Sequence, residues 1–560
     1  MEDVTQKKRG FINFITASRI KSANVHPQEM ILGYLIGPFG ALITNAVFTS
    51  FLNRFYTDVL GMVGKFITLL PLFSTIFVII GNLVMGVIID KTKTNLGKAR
   101  PYLLVSAPLV ALSVVLIFAV PAGNELLKII WIAVTYNLYF AIAYPVYFMS
   151  HSMMIPLSTR NMNQRGSLSV VANAATMGAA GLFAAMVFPM FIYPNLKNQT
   201  DWLTCMCIIG AVALAAILLE FCFTRERITE ESQKLNIAEK KISISVQLKG
   251  VVTDKYWWMI ILFYLLFNFS GGLKNLSMSY YCDYVVGKYQ DGITQTALAA
   301  MSGIPMALGV IVAWPLANKF GKKNITVVGL IISVLGGMIS LIAPENFWMV
   351  VIGVTIKTFG TIPACYVMMA LFADVLDHLE AKNGFRCDGL SMSLYSVITV
   401  AALGVITSIF NGMISISGYQ APSIIEGVTV AAQQNDTTKM IFIISFLGVE
   451  TVAYGIIVIM LHFLKVEKNI KKEQALILNR QKEAVIAAGG AWVEPAVREQ
   501  LEQEKYEQEA EVARQKELRE RCIKKGLSFE IEEAKYQIKL SEKIDKEEAK
   551  LTKKKFKNKS

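Results

Sequence analysis

The sequence predicts an all-α membrane protein: twelve spanning helices in two six-helix halves, followed by a charged helical tail. Three observations carry this. Of the 560 residues 54% are hydrophobic, and they fall in runs of about 20, the length that crosses a bilayer as a helix. Charge is segregated: residues 465–560 hold 24 of the 55 Lys/Arg and 19 of the 42 Asp/Glu. The rest sits mostly between apolar runs, whereas a soluble chain of this length would cover its surface with charge. The loops also repeat weakly from one half to the other.

The elements follow in order. Residues 1–29 are polar and basic, and the first apolar run is too long for a signal peptide, so this segment reads as a cytosolic N-terminus. Spans are expected near 30–53, 64–89, 102–121, 127–150, 168–193 and 202–223, giving a first half of 30–223. Segment 224–256 is charged and reads as a cytosolic middle loop. Spans near 257–286, 295–317, 325–343, 346–372, 389–417 and 440–464 give a second half of 257–464. The tail, 465–560, has helical spacing around 495–521 and a lysine-rich end. It reads as solvated cytosolic helices; contact with lipid or a cytosolic partner is the other reading.

Loop charge sets orientation. With the N-terminus inside, the short inner loops hold Lys91, Lys93, Lys98, Arg100, Arg160, Arg165, Lys319, Lys322, Lys323, Lys382 and Arg386. The outer side holds Arg54, Lys65, Lys128, Lys197, Lys288 and Lys439. Eleven against six places both termini in the cytosol. The repeat shows in the loop Asp90-Lys91…Gly97-Lys98-x-Arg100 after the second span and Lys319-x-Gly321-Lys322-Lys323 after the eighth. Arg165 and Arg386 likewise follow the fourth and tenth spans.

Composition excludes several classes. Seven cysteines, an odd number mostly in apolar runs, are not a disulfide framework. The net charge of +13 is explained by inner loops and tail facing anionic lipid, so no nucleic-acid partner is expected. There is no G-x-x-x-x-G-K-[ST] loop, and the four histidines lack metal-ligand spacing. No enzyme, metal or organic cofactor is expected.

What remains is polar chemistry inside the spans. Lys274, Lys357 and Glu450 lie mid-span, where an ionisable group is costly and faces a cavity or a partner. Either the lysines line a wet path and meet an acceptor-rich or anionic ligand, or they form a buried ion pair or snorkel. Tyr34 and Asn45 of the first span, with Tyr136 and His151 of the fourth, place aromatic rings beside hydrogen-bonding groups, a combination that suits sugars. Ordinary helix packing also uses tyrosine.

The segments Phe55-Tyr-Thr-Asp-Val-Leu-Gly61, Asp90-Lys-Thr-Lys-Thr-Asn-Leu-Gly-Lys-Ala-Arg-Pro-Tyr102, Tyr280-Tyr-Cys-Asp-Tyr-Val-Val-Gly287, Ala373-Asp-Val-Leu-Asp377 and Asn383-Gly-Phe-Arg386 carry a resemblance. Over roughly residues 28–465 the chain resembles the glycoside–pentoside–hexuronide cation symporters, the melibiose-permease-like branch of the major facilitator superfamily. The resemblance implies the major facilitator fold, alternating access, a bacterial inner membrane, a sugar or glycoside substrate, and Na⁺ or H⁺ as coupling ion. It implies a cytosolic gate of Asp90, Lys98, Arg100, Arg165, Asp374, Asp377 and Arg386, with the last three in the loop between spans ten and eleven.

Departures from the family matter as much. The two carboxylates that hold the cation on the second span fall at Val78 and Asn82, a remnant of that site. The sugar-binding acids of the first and fourth spans fall at Leu42 and near Phe148, and the arginine of the fifth near Ala172, beside Asn173. Coupling is therefore open: an uncoupled facilitator, or a fixed ammonium of Lys274 or Lys357 in place of the cation. The expected binding residues are Tyr34, Asn45, Tyr136, His151, Asn173, Lys274 and Lys357, with Asn82 nearby. An organic-anion or lysolipid-like substrate, and a scaffold acting through the tail, are the other readings.

Overall fold

Each apolar run is helical, because a backbone in hydrocarbon must satisfy its own N–H and C=O groups. The computed structural model describes residues 18–557 apart from 21, 23, 63, 93, 95, 160–161, 228–243, 291, 386–387, 426–427 and 488–491. Among the described residues, eleven helices are long and apolar enough to cross a membrane. They are α1 (Glu29–Leu52), α2 (Lys65–Ile89), α3 (Arg100–Phe118), α4 (Glu125–Ser158), α5 (Gln164–Asn195), α6 (Gln199–Phe223), α7 (Lys255–Val286), then α9 (Lys322–Ile342), α10 (Phe347–Asn383), α11 (Asp388–Ser417) and α12 (Asp436–Phe463). A further helix, α8 (Ile293–Phe320), occupies the place expected of the eighth span. Large apolar side chains such as Phe73, Ile76 and Ile80 of α2 are exposed, as a lipid-facing surface requires.

Capping side chains start many of these helices. Asn124, Asn198, Asp254, Asn346 and Asn435 accept from the first free N–H groups of α4, α6, α7, α10 and α12. Gly384 stops α10 with a left-handed φ of 77°.

Packing divides the chain in two. One apolar core draws on residues from Tyr34 to Phe221, and two others on residues from Val251 to Val466 and from Leu273 to Leu447. The halves meet where α2 crosses α11, α5 crosses α8, and the end of α1 meets α7. The tail forms α13 (Val466–Ala487), α14 (Pro495–Lys525) and α15 (Phe529–Lys557). Two elements were not expected: a short helix, Ile244–Val252, and a hairpin pairing β1 (Ser423–Ile425) with β2 (Val428–Val430).

One expectation is corrected. Asp374 and Asp377 are not in a loop, because α10 runs on to Asn383. Leu371, Val375 and Leu379 continue its apolar stripe into the core at helical spacing, so the chain stays helical beyond the end of the apolar run.

Candidate functional site

The bundle has two ends. One carries the tail and the described residues of the loop 92–99 and of the segment 224–256 (the tail side); the other is the far side. A cavity of about 400 Å³ lies between the halves, large enough for a small molecule. From the first half it is lined by Asn45, Thr49, Asn53 and Tyr56 of α1 and its continuation, by Ser74, Val78 and Asn82 of α2, and by Tyr136, Tyr144 and Phe148 of α4. From the second half come Gly272 and Leu276 of α7, and Tyr395, Thr399, Thr407 and Asn411 of α11. Among these described lining residues there is no Asp, Glu, Lys, Arg or His. Two lining groups are buried without a protein partner: Tyr56 Oη and Asn411 Oδ1. Buried polar atoms are normally satisfied, and these two are exceptions.

The expected site residues separate. Asn45, Val78, Asn82 and Tyr136 line the cavity. Asn82 donates to the Val78 carbonyl at 2.8 Å, so this amide is turned back on its own helix. The other five are not in the lining. Tyr34 is fully buried, bonded to Ser158 and the Met154 carbonyl. His151 contacts buried Glu220 at 2.8 Å, and Tyr147 donates to the same carboxylate at 3.0 Å. Asn173 is exposed. Lys357 Nζ meets Glu450 at 2.5 Å, and Lys274 Nζ meets it at 3.2 Å. The two ammoniums thus serve a buried carboxylate inside the second half, because α7 turns Gly272 and Leu276 to the cavity and residue 274 away from it.

On the far side the halves are locked together. Arg54, 1% exposed, pairs with Asp58 one turn on at 2.8 Å and reaches across to Asp283 of α7. Tyr193 donates to Asp283 at 3.2 Å; Tyr419 and Tyr289 donate to Asp58 at 2.6 and 3.3 Å. The guanidinium also lies over the Tyr280 ring at 4.2 Å. Burial pushes the Tyr289 and Tyr419 phenols far up, so both stay protonated donors. The sequence contained this signal, an Arg and an Asp four apart in Arg54–Asp58, but not which residue would oppose them.

On the tail side the described contacts of the gate residues stay within their own half or bind the tail. Lys98, Ala99 and Arg100 offer backbone N–H groups to Glu226 at 2.7–2.9 Å, which caps α3, and Arg100 Nε donates to the Phe221 carbonyl at 3.0 Å. In the second half Glu467 does the same for α9, accepting from the N–H groups of Lys322 and Lys323 at 2.7 and 2.9 Å. This pair of caps makes the repeat visible in three dimensions. Arg165 donates to the Pro156 carbonyl at 3.2 Å. Asp374 holds Lys322 at 2.7 Å, and Asp377 accepts from Gln474 of α13 at 2.8 Å. Arg386 and the side chain of Asp90 lie outside the described residues.

Comparison with known proteins agrees with this architecture. The chain matches the family described as MFS/sugar transport protein over residues 33–468. It is 25% identical over 457 residues to the isoprimeverose transporter of Lactiplantibacillus pentosus, covering 80% of this chain and 90% of that one. It is 24% identical over 441 residues to the putative glycoside/cation symporter YagG of Escherichia coli (strain K12), covering 78% and 91%. Its fold is similar to that of the nucleoside transporter NupG, with a TM-score of 0.50 at 13% identity over 78% of this chain and 99% of that one. This chain, a multi-pass membrane protein, belongs to the MFS/sugar transport protein family.

Proposed function

We propose that the protein is a secondary transporter that carries an uncharged sugar or glycoside across a bacterial inner membrane by alternating access. The cavity carries this reading: an aromatic and amide lining without fixed charge, holding two unpartnered polar atoms, suits a neutral ligand with many hydroxyls. Rings pack on the C–H faces of a sugar while amides and hydroxyls take its O–H groups. The sugar and glycoside carriers among the relatives support it. A uronide or other anion finds no opposing charge in the described lining, since both lysines answer to Glu450.

With the tail side cytosolic, as loop charge argues, the outer lock is closed, while the described gate groups bond within their own half or to the tail. This is the inward-facing stage of the cycle, in which the halves 30–223 and 257–464 have rocked together at their outer ends. Helix α2 has no carboxylate at Val78 or Asn82, so no Na⁺ requirement is expected there.

The test is a thermal-shift screen of purified protein with isoprimeverose, lactose, raffinose and a glucuronide, with and without Na⁺, followed by uptake into proteoliposomes. A neutral sugar should stabilise the protein without Na⁺. Tyr56→Phe or Asn411→Ala should each weaken that binding about tenfold, the worth of one net hydrogen bond. Stabilisation only by the glucuronide, or only with Na⁺, would refute the assignment.

A further inference from the structure

The rings that α4 brings to the cavity are not scattered. Tyr136, Phe140, Tyr144 and Phe148 follow one another at steps of four residues, and all four line the cavity. None of them is fully enclosed, and Phe148 is 40% exposed. By contrast Tyr139, Ala143 and Tyr147, the next stripe around the helix, are buried in the core of the first half. Neighbouring rungs touch. Ring centroids lie 4.5 Å apart for Tyr136 and Phe140, and 5.5 Å apart at 17° for Tyr144 and Phe148. The rings therefore hold one another in place as a strip.

A local irregularity keeps that strip on the cavity. At about 100° per residue, three steps of four would swing Phe148 about 120° away from Tyr136. Within α4, however, Leu138–Ala143 form a π turn, and the Tyr144 N–H bonds to the Tyr139 carbonyl five residues back. Pro145 comes next. It has no N–H for the Ala141 carbonyl and its ring crowds that carbonyl, so the helix widens before it. The wider turn takes back part of the swing. From Tyr136 to Phe148 the ladder runs about 18 Å along the helix axis.

The opposing wall is polar. From the second half, α11 brings Thr399, Thr407 and Asn411 to the lining. The Thr399 and Thr407 hydroxyls donate to carbonyls of their own helix at 2.8 and 3.0 Å, so toward a ligand they act as acceptors. Rungs about 6 Å apart are spaced a little wider than one pyranose ring. A cavity of about 400 Å³ holds more than one such ring.

We propose that the α4 ladder is the specificity element of the site. It seats at least two sugar rings in line, so the cavity selects linear di- and trisaccharides, or glycosides of that length, over single sugars. This deepens the transporter reading and rests on it. Packing of a sugar's C–H face on an aromatic ring needs no particular hydroxyl pattern. The ladder thus reads length, and the polar wall reads configuration.

Calorimetric binding to the purified full-length protein tests this, with isoprimeverose, lactose and raffinose set against xylose, glucose and galactose. The chains should bind at least about fivefold more tightly than the single sugars. Tyr136→Leu and Phe148→Leu keep apolar bulk and each remove one end rung. Each should weaken the best-binding chain about fivefold and leave single sugars within about twofold, and Phe148→Trp should restore the chain. A merely structural loss would weaken every ligand by one factor and lower the melting temperature of the ligand-free protein. Single sugars that bind as tightly as the chains, or end-rung variants that weaken all ligands equally, overturn the ladder and leave the transporter standing. Binding of no sugar overturns the transporter reading and the ladder with it.

Discussion

Replacing Asp283 with Asn should open the far-side lock. The two side-chain partners of Asp283, Arg54 and Tyr193, both belong to the opposite half. They are absent once the halves part, so the substitution penalises only the closed state. Asn keeps the shape and accepts from Tyr193, but loses the charge opposite Arg54. Arg54 retains Asp58 at 2.8 Å, so the loss is one charge-assisted bond rather than an orphaned ion. Such a bond is worth about 1.5–3 kcal/mol, and a loss of about 2 kcal/mol is roughly 30-fold in the closed-to-open equilibrium. A closed population of about 95% would fall to about 40%. Double electron–electron resonance between labels at Lys197 and Thr437 should show a second, longer distance in the variant, with the melting temperature of the protein little changed. An unaltered single distance would refute the idea that this network holds the halves together.

Other positions test the packing and the tail side. A Cβ at Gly404 would meet Thr75 Oγ1 of α2 in the other half, whereas one at Gly81 would meet the Ala141 carbonyl within its own half. Gly404→Ala should therefore shift the same label distances toward the open state, while Gly81→Ala should lower the melting temperature without that shift. Overpacking of this kind costs about 1–3 kcal/mol. Asp254 caps α7 and holds Lys382 at 2.7 Å. Burial pushes its carboxyl up, but the His378 ring 3.6 Å away and hydrogen bonds from Lys382 and the Trp257 N–H outweigh this and hold it well below the usual range. Its folded pKa is depressed, so its stabilisation is present above the unfolded value of about 4 and is lost as pH falls below it. A melting curve against pH should fall off less steeply below about pH 4 in Asp254→Asn than in wild type.

Helices were legible because their signal is local. Apolar length predicts a span wherever lipid is the solvent, and most span positions could be read from it alone. The end of α10 was not, because Asp374, Asp377 and His378 interrupt the hydropathy while the apolar stripe of Leu371, Val375 and Leu379 runs on. The basic loops and the Asp90–Tyr102 segment carried the family. That Val78 and Asn82 stand where the resemblance places two carboxylates was equally plain, since a missing charge shows in the letters themselves. Of the residues expected to bind, Asn45 and Tyr136 line the cavity with that remnant, and Tyr34, His151, Asn173, Lys274 and Lys357 do not.

By itself the sequence determined the solvent this protein folds in, its family, and where charge would be costly: Lys274, Lys357 and Glu450 stand out in any reading of the spans. Only the tertiary structure decided what those charges face. A helix presents every direction around its axis, so the letters say that Lys274 lies mid-span but not whether it meets the cavity or Glu450. Contacts between residues 54 and 283, or between 274, 357 and 450, join segments that are far apart in the chain. Pairing of this kind depends on how the helices rotate and cross as they pack, within one half for 274, 357 and 450 and between the halves for 54 and 283.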